Sequence, residues 1–550
     1  MSANSSTIRR GTLLLLLAVL FAVWFSNLEY RKLVRPDEGR YAEIPREMVA
    51  SGDWTTPRLN GVKYFEKPAL QYWATAAAYS VFGEHHWTAR LWPALTGFLG
   101  ILMVGFTGVR LFGNTAGLYA ATVLASSLLY VLIGHLNTLD MGVSFFMGLG
   151  LCGFLLAHRP NVPAKENRFW MLVTWASLAF SVLSKGLIGL VLPGAVLVLY
   201  TLIQRDWRLW TRLHMVTGLL LFFAISVPWF VAVSLDNPEF FHFFFIHEHF
   251  ERFLTKVHGR YQPWWYFVPI LLMGMLPWAI PMFDALARAW QSDGKRSFQP
   301  KRFLLIWSLF IYFFFSISDS KLPSYLLPIF PALALLIGER LTKLSGRALF
   351  WQVSPLLILA VTALWLAPDV VQIGDEEVPP ELYRHYVPWL MSAGAVFLAG
   401  TLAALFWSHR SRIAPAVLAL GLSGVVASQL ILTGHESLSP ASSAYHLVQR
   451  IRPYLKPDIP FYSVGMYEQT LPFYIKRTVT VVAWQDELEF GFQQEPDKWI
   501  PDMETFKQQW RSQPEALAIM SPATYQQMEA EKLPMVIIAR DTRRVVVKKP

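Results

Sequence analysis

The sequence predicts a polytopic α-helical membrane protein with a soluble α/β domain at its C-terminal end. Three observations predict it. Of 550 residues, 54% are hydrophobic and only 16% are charged, against about 25% charged in soluble domains. About thirteen apolar runs reach the roughly 17–25 residues that span a bilayer, allowing for tilt. Past residue 435 the pattern changes to short apolar segments separated by Pro453, Pro457 and Pro460. The 22 tryptophans and 39 phenylalanines fit a chain with aromatic residues at both membrane boundaries.

The first run, Leu13–Phe25, follows Arg9 and Arg10. It resembles a signal peptide, but no small-x-small cleavage site follows, so it reads as an uncleaved first span. The remaining runs lie near 91–111, 115–134, 141–157, 170–184, 186–203, 214–234, 265–286, 303–318, 322–338, 350–367, 388–407 and 413–433. Two pairs are almost continuous and are parted by Ser184-Lys185-Gly186 and Asp319-Ser320-Lys321. The net charge of +10 gathers on short loops after even-numbered spans, such as Arg159, Lys165 and Arg168, or Arg340, Lys343 and Arg347. The loop with Asp375, Glu376, Glu377 and Glu381 is acidic. The positive-inside rule then places the N-terminus in the cytoplasm and, with an odd span count, the C-terminus outside. No basic soluble patch suggests nucleic acid as a partner. Cys152, the single cysteine, excludes an internal disulfide and reads as a buried thiol.

Two domains follow: a transmembrane body over 1–435, with outer loops 28–90 and 235–264, and an α/β domain over 436–550. In the latter, Phe461–Val464, Val479–Ala483, Ala516–Met520 and Val536–Ala539 read as buried strands, with helices over Ser443–Tyr454 and Met503–Ser512.

Ionisable residues gather on the outer side. The first outer loop is too long for a connector. In it, Arg40, Glu43 and Glu47 recur at helical spacing, which predicts an amphipathic helix along the membrane surface. Asp37, after Pro36, suits either an N-cap or a catalytic carboxylate. Glu66 and Lys67 sit among apolar and aromatic residues, where charge tends to be functional; a surface ion pair of little weight is the alternative. Asp140, Lys185, Asp319 and Lys321, with Tyr325 close by, fall on the same side, either as helix ends or as part of a site. The stretch with His242, His247, Glu248, His249, Glu251 and Arg252 offers imidazole and carboxylate to a divalent ion such as Zn²⁺, Mg²⁺ or Mn²⁺, or holds interfacial histidines. No nucleotide fingerprint occurs.

Arg35–Glu47 (Arg-Pro-Asp-Glu-Gly-Arg-Tyr-Ala-Glu-Ile-Pro-Arg-Glu), Tyr64–Pro68 (Tyr-Phe-Glu-Lys-Pro) and Ser320–Pro328 together resemble the bacterial aminoarabinose transferases that modify lipid A, within the GT-C glycosyltransferase superfamily. The resemblance implies a GT-C type fold of the bacterial inner membrane. It implies an undecaprenyl-phosphate-linked 4-amino-4-deoxy-L-arabinose donor, a lipid A acceptor and polymyxin resistance. It makes Asp37 essential and gives Tyr64, Glu66 and Lys67 the carrier phosphate. The full expectation is Asp37, Asp140 and Lys67 as catalytic residues. Arg40, Tyr64, Lys185, Arg252, Tyr325 and Lys321 are expected to bind substrate, and Glu66, His247 and His249 to hold a metal ion. Both substrates are lipids, so the site must open to the membrane. One departure stands out: Gly39 replaces the Thr of the Asp-Glu-Thr-Arg-Tyr form. A protein O-mannosyltransferase and a lipid transporter are the competing readings.

Overall fold

The computed structural model describes residues 10–251, 262–291 and 298–550, with the side chains of all of these except Arg10 and 247–251. Every predicted apolar run falls on helix. The N-terminal half comprises α1 (Arg10–Phe25), α2 (Asp37–Ser51), α3 (Leu70–Phe82), α4 (His86–Phe112), α5 (Asn114–Ser126), α6 (Leu128–Gly134), α7 (Asp140–Ala157), α8 (Ala164–Lys185), α9 (Ile188–Gln204) and α10 (Met215–Asp236). By length and composition, eight helices among the described residues can cross a membrane, or ten if each of two bent pairs is one span. The difference from thirteen lies in the shorter apolar helices Gly11–Phe25 and Ile188–Gln204, and in α8, whose first turns carry Lys165, Glu166 and Arg168.

The two bends correct the expectation of straight spans over 115–134 and 265–286. α5 and α6 meet at 64°, and Phe267–Gly274 meets Ala279–Ala289 at 108°. Pro277 lies in the second break and cannot donate a helical hydrogen bond. The breaks satisfy each other: the Leu128 amide donates to the Leu276 carbonyl at 3.1 Å, and the Trp278 indole donates to the Ser126 hydroxyl at 2.8 Å. Irregular backbone in a membrane body needs such internal partners.

Small residues let the central helices approach closely. A Cβ on Gly108 of α4 would meet the Gly117 Cα of α5 at 2.8 Å, and one on Gly338 would meet the Ala120 nitrogen at 2.6 Å. Large apolar side chains such as Val216, Ile317, Ile358 and Trp365 remain exposed, as lipid-facing residues do.

Between α1 and α4 the first loop folds as α2, a hairpin of β1 (Arg58–Leu59) and β2 (Val62–Lys63), and α3. The hairpin turns through Asn60 and Gly61, both at positive φ, the pairing that a tight two-residue turn favours.

The predicted α/β domain contains a six-stranded sheet: β3 (Phe461–Val464), β4 (Thr480–Val482), β5 (Trp499–Ile500), β6 (Leu517–Met520), β7 (Val536–Arg540) and β8 (Val545–Lys548). The order is β5-β4-β3-β6-β8-β7, parallel from β5 to β6 and antiparallel for β8 and β7. β5 and β8 were not among the expected strands. The helix Met503–Ser512 is as expected, opened by Asp502, whose carboxylate accepts from the Thr505 amide. The domain sits on the first loop. The Asn60 side-chain amide donates to the Val479 carbonyl and accepts from the Val479 amide, both at 2.8 Å.

Candidate active site

The site is built on the first turn of α2. Pro36 precedes the helix, Asp37 and Glu38 favour its positive end, and Gly52 closes it in the left-handed conformation. Glu38 turns inward. Its carboxylate takes two hydrogen bonds of 2.7 Å from the Arg90 guanidinium of α4. It also accepts from the Val34 and Asn137 amides, each at 3.0 Å. Arg90 continues to the Leu28, Arg31 and Lys32 carbonyls. Burial would raise the Glu38 carboxyl, but Arg90 outweighs it and holds the group down at about 2. This bidentate pair ties the start of α2 to α4 and to the turn before Asp140.

Beside this buried anchor the next carboxylate faces out. Asp37 is 50% exposed, with Arg40 Nη1 at 3.4 Å. It makes no capping hydrogen bond, and Pro36 occupies the cap position, so the N-cap reading of Asp37 is overturned. Asp140, at the start of α7, accepts a short hydrogen bond from Lys185 Nζ at the end of α8, and both are largely buried. Lys185 also lies 5.1 Å from the centre of the Tyr325 ring and feels the Asp37 carboxylate. The turn bearing Asp140, the break after α8 and the segment bearing Tyr325 thus converge on one face with Asp37. Lys321 Nζ donates to the Gln262 and Ser318 carbonyls at 2.8 and 2.5 Å.

The Tyr64–Pro68 segment forms the neighbouring wall. Lys67 Nζ donates to the Glu66 carbonyl at 2.7 Å and lies 3.8 Å from its carboxylate. Glu66 acts electrostatically on Arg40 and on the buried Tyr64. The backbone of His247 and His249 is helical, but their side chains lie outside the described residues, as does Arg252 altogether. Among the described residues no group of three or more His, Cys, Asp or Glu side chains could hold a metal ion.

The expected surface helix is corrected as well. Glu38, Glu43, Arg46 and Glu47 of α2 are all buried: Glu38 lies against α4, and the later turns lie under the C-terminal domain, where Arg46 Nη1 donates to the Lys476 carbonyl at 3.4 Å. Glu43 pairs with Arg46 at 2.5 Å. Glu47 accepts from the Gly61 amide at 2.8 Å, and burial, then Glu43, pushes its carboxyl up to about 8. Arg40 reaches across the domain boundary to a close ion pair with Glu487, whose other oxygen accepts from the Gln469 side chain at 2.7 Å. Gly39 has its reason here. A Cβ at this position would meet the Gln469 carbonyl carbon at 2.6 Å and the Thr470 nitrogen at 2.7 Å. The departure at Gly39 is therefore matched to the seating of the C-terminal domain. Sequence reasoning missed Arg90, Gln469 and Glu487; the one signal was that Arg90 stands at the start of a long apolar stretch of α4, with Arg110 near its other end.

Comparison with known proteins agrees with this architecture. Residues 447–549 match the aminoarabinose transferase C-terminal domain, and residues 11–244 match the dolichyl-phosphate-mannose-protein mannosyltransferase model. An undecaprenyl phosphate-α-4-amino-4-deoxy-L-arabinose arabinosyl transferase of Pectobacterium carotovorum is 32% identical over 429 residues, covering 75% of this chain and 76% of that protein. The enzyme of the same name from Enterobacter sp. is 28% identical over 497 residues, covering 87% and 86%. The crystal structure of ArnT from Cupriavidus metallidurans bound to undecaprenyl phosphate superposes with a TM-score of 0.94 at 40% identity, covering 98% of each chain. A multi-span helical body of GT-C type, a C-terminal domain of matching family and this extent of likeness lead to one conclusion: the chain belongs to the undecaprenyl phosphate-α-4-amino-4-deoxy-L-arabinose arabinosyl transferase family.

Proposed function

We propose that this chain transfers 4-amino-4-deoxy-L-arabinose from undecaprenyl phosphate to phosphate groups of lipid A, and so confers resistance to polymyxin and related cationic peptides. The observation that carries the proposal is the gathering of Asp37, Asp140, Lys185 and Tyr325 beside the Glu66–Lys67 wall, in a fold shared with a relative bound to undecaprenyl phosphate. An acceptor phosphate oxygen attacks the anomeric carbon of the sugar. The bond from that carbon to the carrier phosphate oxygen breaks, and the electron pair leaves with undecaprenyl phosphate. A phosphate dianion has no proton to lose, so Asp37 orients the acceptor or holds the sugar's ammonium group; a protonated acceptor would need it as base. Lys67, with Arg252, stabilises the departing phosphate. Lys185, held by Asp140, adds positive charge on the acceptor side. A divalent ion held by Glu66 with His247 or His249 would add charge neutralisation at the phosphate.

The site and the C-terminal domain lie on the periplasmic side of the inner membrane, with the N-terminus in the cytoplasm. The basic loops on the opposite face support that orientation, and reporter fusions at the two termini test it. Transfer is tested by expressing the chain in a host lacking its own aminoarabinose transferase and weighing lipid A. Unmodified lipid A with the protein inserted and the donor present overturns the proposal. Because of the mannosyltransferase match over residues 11–244, the same cells are assayed for glycosylated protein, whose appearance in place of modified lipid A favours a hydroxyl acceptor.

A further inference from the structure

We infer that Glu487 of the C-terminal domain is a positioning residue for the transfer reaction, holding Arg40 away from Asp37 so that this carboxylate stays open to substrate. The inference rests on the function proposed above and adds a residue that lies outside the membrane body.

Arg40 stands one helical turn after Asp37, the spacing at which opposite charges on a helix meet. A guanidinium offers a planar fork that suits a carboxylate with two parallel hydrogen bonds. Left to itself, Arg40 would close on Asp37 in that way and occupy both of its oxygens. The structure has a different arrangement. Only Nη1 approaches Asp37, at 3.4 Å, while Nη2 makes the close contact with Glu487. Asp37 stays half exposed, whereas Arg40 is 11% and Glu487 7% exposed. The stronger pairing therefore lies in the drier place, where charge attraction is less screened.

Glu487 is itself held. The Gln469 side-chain amide donates to its second oxygen at 2.7 Å, which sets the plane of the carboxylate. The backbone of Gln469 and Thr470 rests against Gly39 with no room for a Cβ. The seating of the C-terminal domain on α2 thus decides where Glu487 lies, and Glu487 decides where Arg40 points.

The test uses the full chain, purified and assayed for transfer from undecaprenyl-phosphate aminoarabinose to lipid A. Glu487→Gln keeps the shape and removes the charge. It should lower kcat on the order of tenfold to a hundredfold, the scale of a misplaced catalytic group, with little change in KM for either lipid. Glu487→Asp should recover part of the loss. Arg40→Ala combined with Glu487→Gln should lose no more than Arg40→Ala alone, since two residues acting as a unit are not additive. A crystal or cryo-EM structure of Glu487→Gln should show Arg40 closer to Asp37 than 3.4 Å. Wild-type kcat in Glu487→Gln, additive losses in the double variant, or an unmoved Arg40 would each overturn the inference. If Glu487→Gln does not fold, Gln469→Leu, which keeps the charge but frees the carboxylate, should show a smaller fall in kcat, and an unchanged kcat counts against it. A wild-type chain that makes no transfer defeats the functional proposal, and the inference with it; an active wild type with indifferent variants defeats the inference alone.

Discussion

Asp37 and Glu38 are adjacent carboxylates on one helix turn, and they live in opposite surroundings. Glu38 is saturated: two bonds from Arg90 and two from backbone amides leave it buried and ionised. Asp37 is half exposed, with one long contact to Arg40. A buried charge with every lone pair used is architecture, because removing a partner strands the other charge in a dry place. A carboxylate held near such an anchor but left underused is available to a ligand. Arg90, like Glu38, is buried, while Lys185 and Lys67 are mostly buried and paired with Asp140 and Glu66.

The largest effect should come from breaking the anchor. Arg90→Met leaves Glu38 buried without its partner and should cost about 3–5 kcal/mol of stability. The expected outcome is low yield or a sharply lowered melting temperature in detergent; a normal melting curve would show that the Glu38 site is not dry. Asp37→Asn should leave folding and insertion intact and lower transfer on the order of 10²–10⁴-fold, the range for a positioned acid or base. Polymyxin resistance equal to wild type in cells with correctly inserted Asp37→Asn would remove Asp37 from the reaction. Gly39→Thr, the residue of the related form, should unseat the C-terminal domain from α2 and cost about 1–3 kcal/mol, as overpacking does. It is measured by thermal unfolding together with kcat, which should fall in parallel. Lys67→Ala should weaken use of the donor lipid more than Lys67→Arg, because a phosphate needs the cation first. Equal KM for the donor in both variants and wild type would make Lys67 a bystander.

A further comparison concerns pH, and it sets the two ends of α2 against each other. The folded Glu38 carboxyl lies below its ordinary value of 4.5, at about 2, so its stabilisation is present above pH 4.5 and is lost as pH falls towards 2. Glu47 lies above its ordinary 4.5, at about 8. The folded state then holds a proton that the unfolded state has released, and stability falls as pH rises from 4.5 to 8. Glu47→Gln should flatten that slope in melting temperature against pH. An unchanged slope would mean that Glu47 keeps its charge when folded.

The helices and their order were legible because length and apolarity are local properties of a chain in lipid. The strands Phe461–Val464 and Leu517–Met520 were legible as short apolar runs. β5 escaped because two residues make no pattern. The bends after Ser126 and near Pro277 escaped because apolar composition runs straight through both. At the site, Asp37, Asp140, Lys185 and Tyr325 were placed together by the alternation of loops, and the structure joins Asp140, Lys185 and Tyr325 through the Lys185 ammonium. Lys321 was expected beside them by the same reasoning; its ammonium donates to two backbone carbonyls, a detail of turn geometry that loop alternation does not contain.

By itself the sequence determined that the chain is a membrane body with an α/β domain, where isolated charges interrupt its apolar runs, and which family its motifs resemble. Those follow from hydrophobic length, strand periodicity and short motifs, each read within a few residues. Only the tertiary structure decided which charges are used up and which are open. α2 has the same alternation of charge whether water or the C-terminal domain covers it. The contacts that bury Glu43 and Glu47, tie Glu38 to Arg90 and turn Arg40 towards Glu487 join distant parts of the chain. Whether a carboxylate anchors or reacts depends on the local dielectric and on partners brought by folding, and neither is encoded in its neighbours along the sequence.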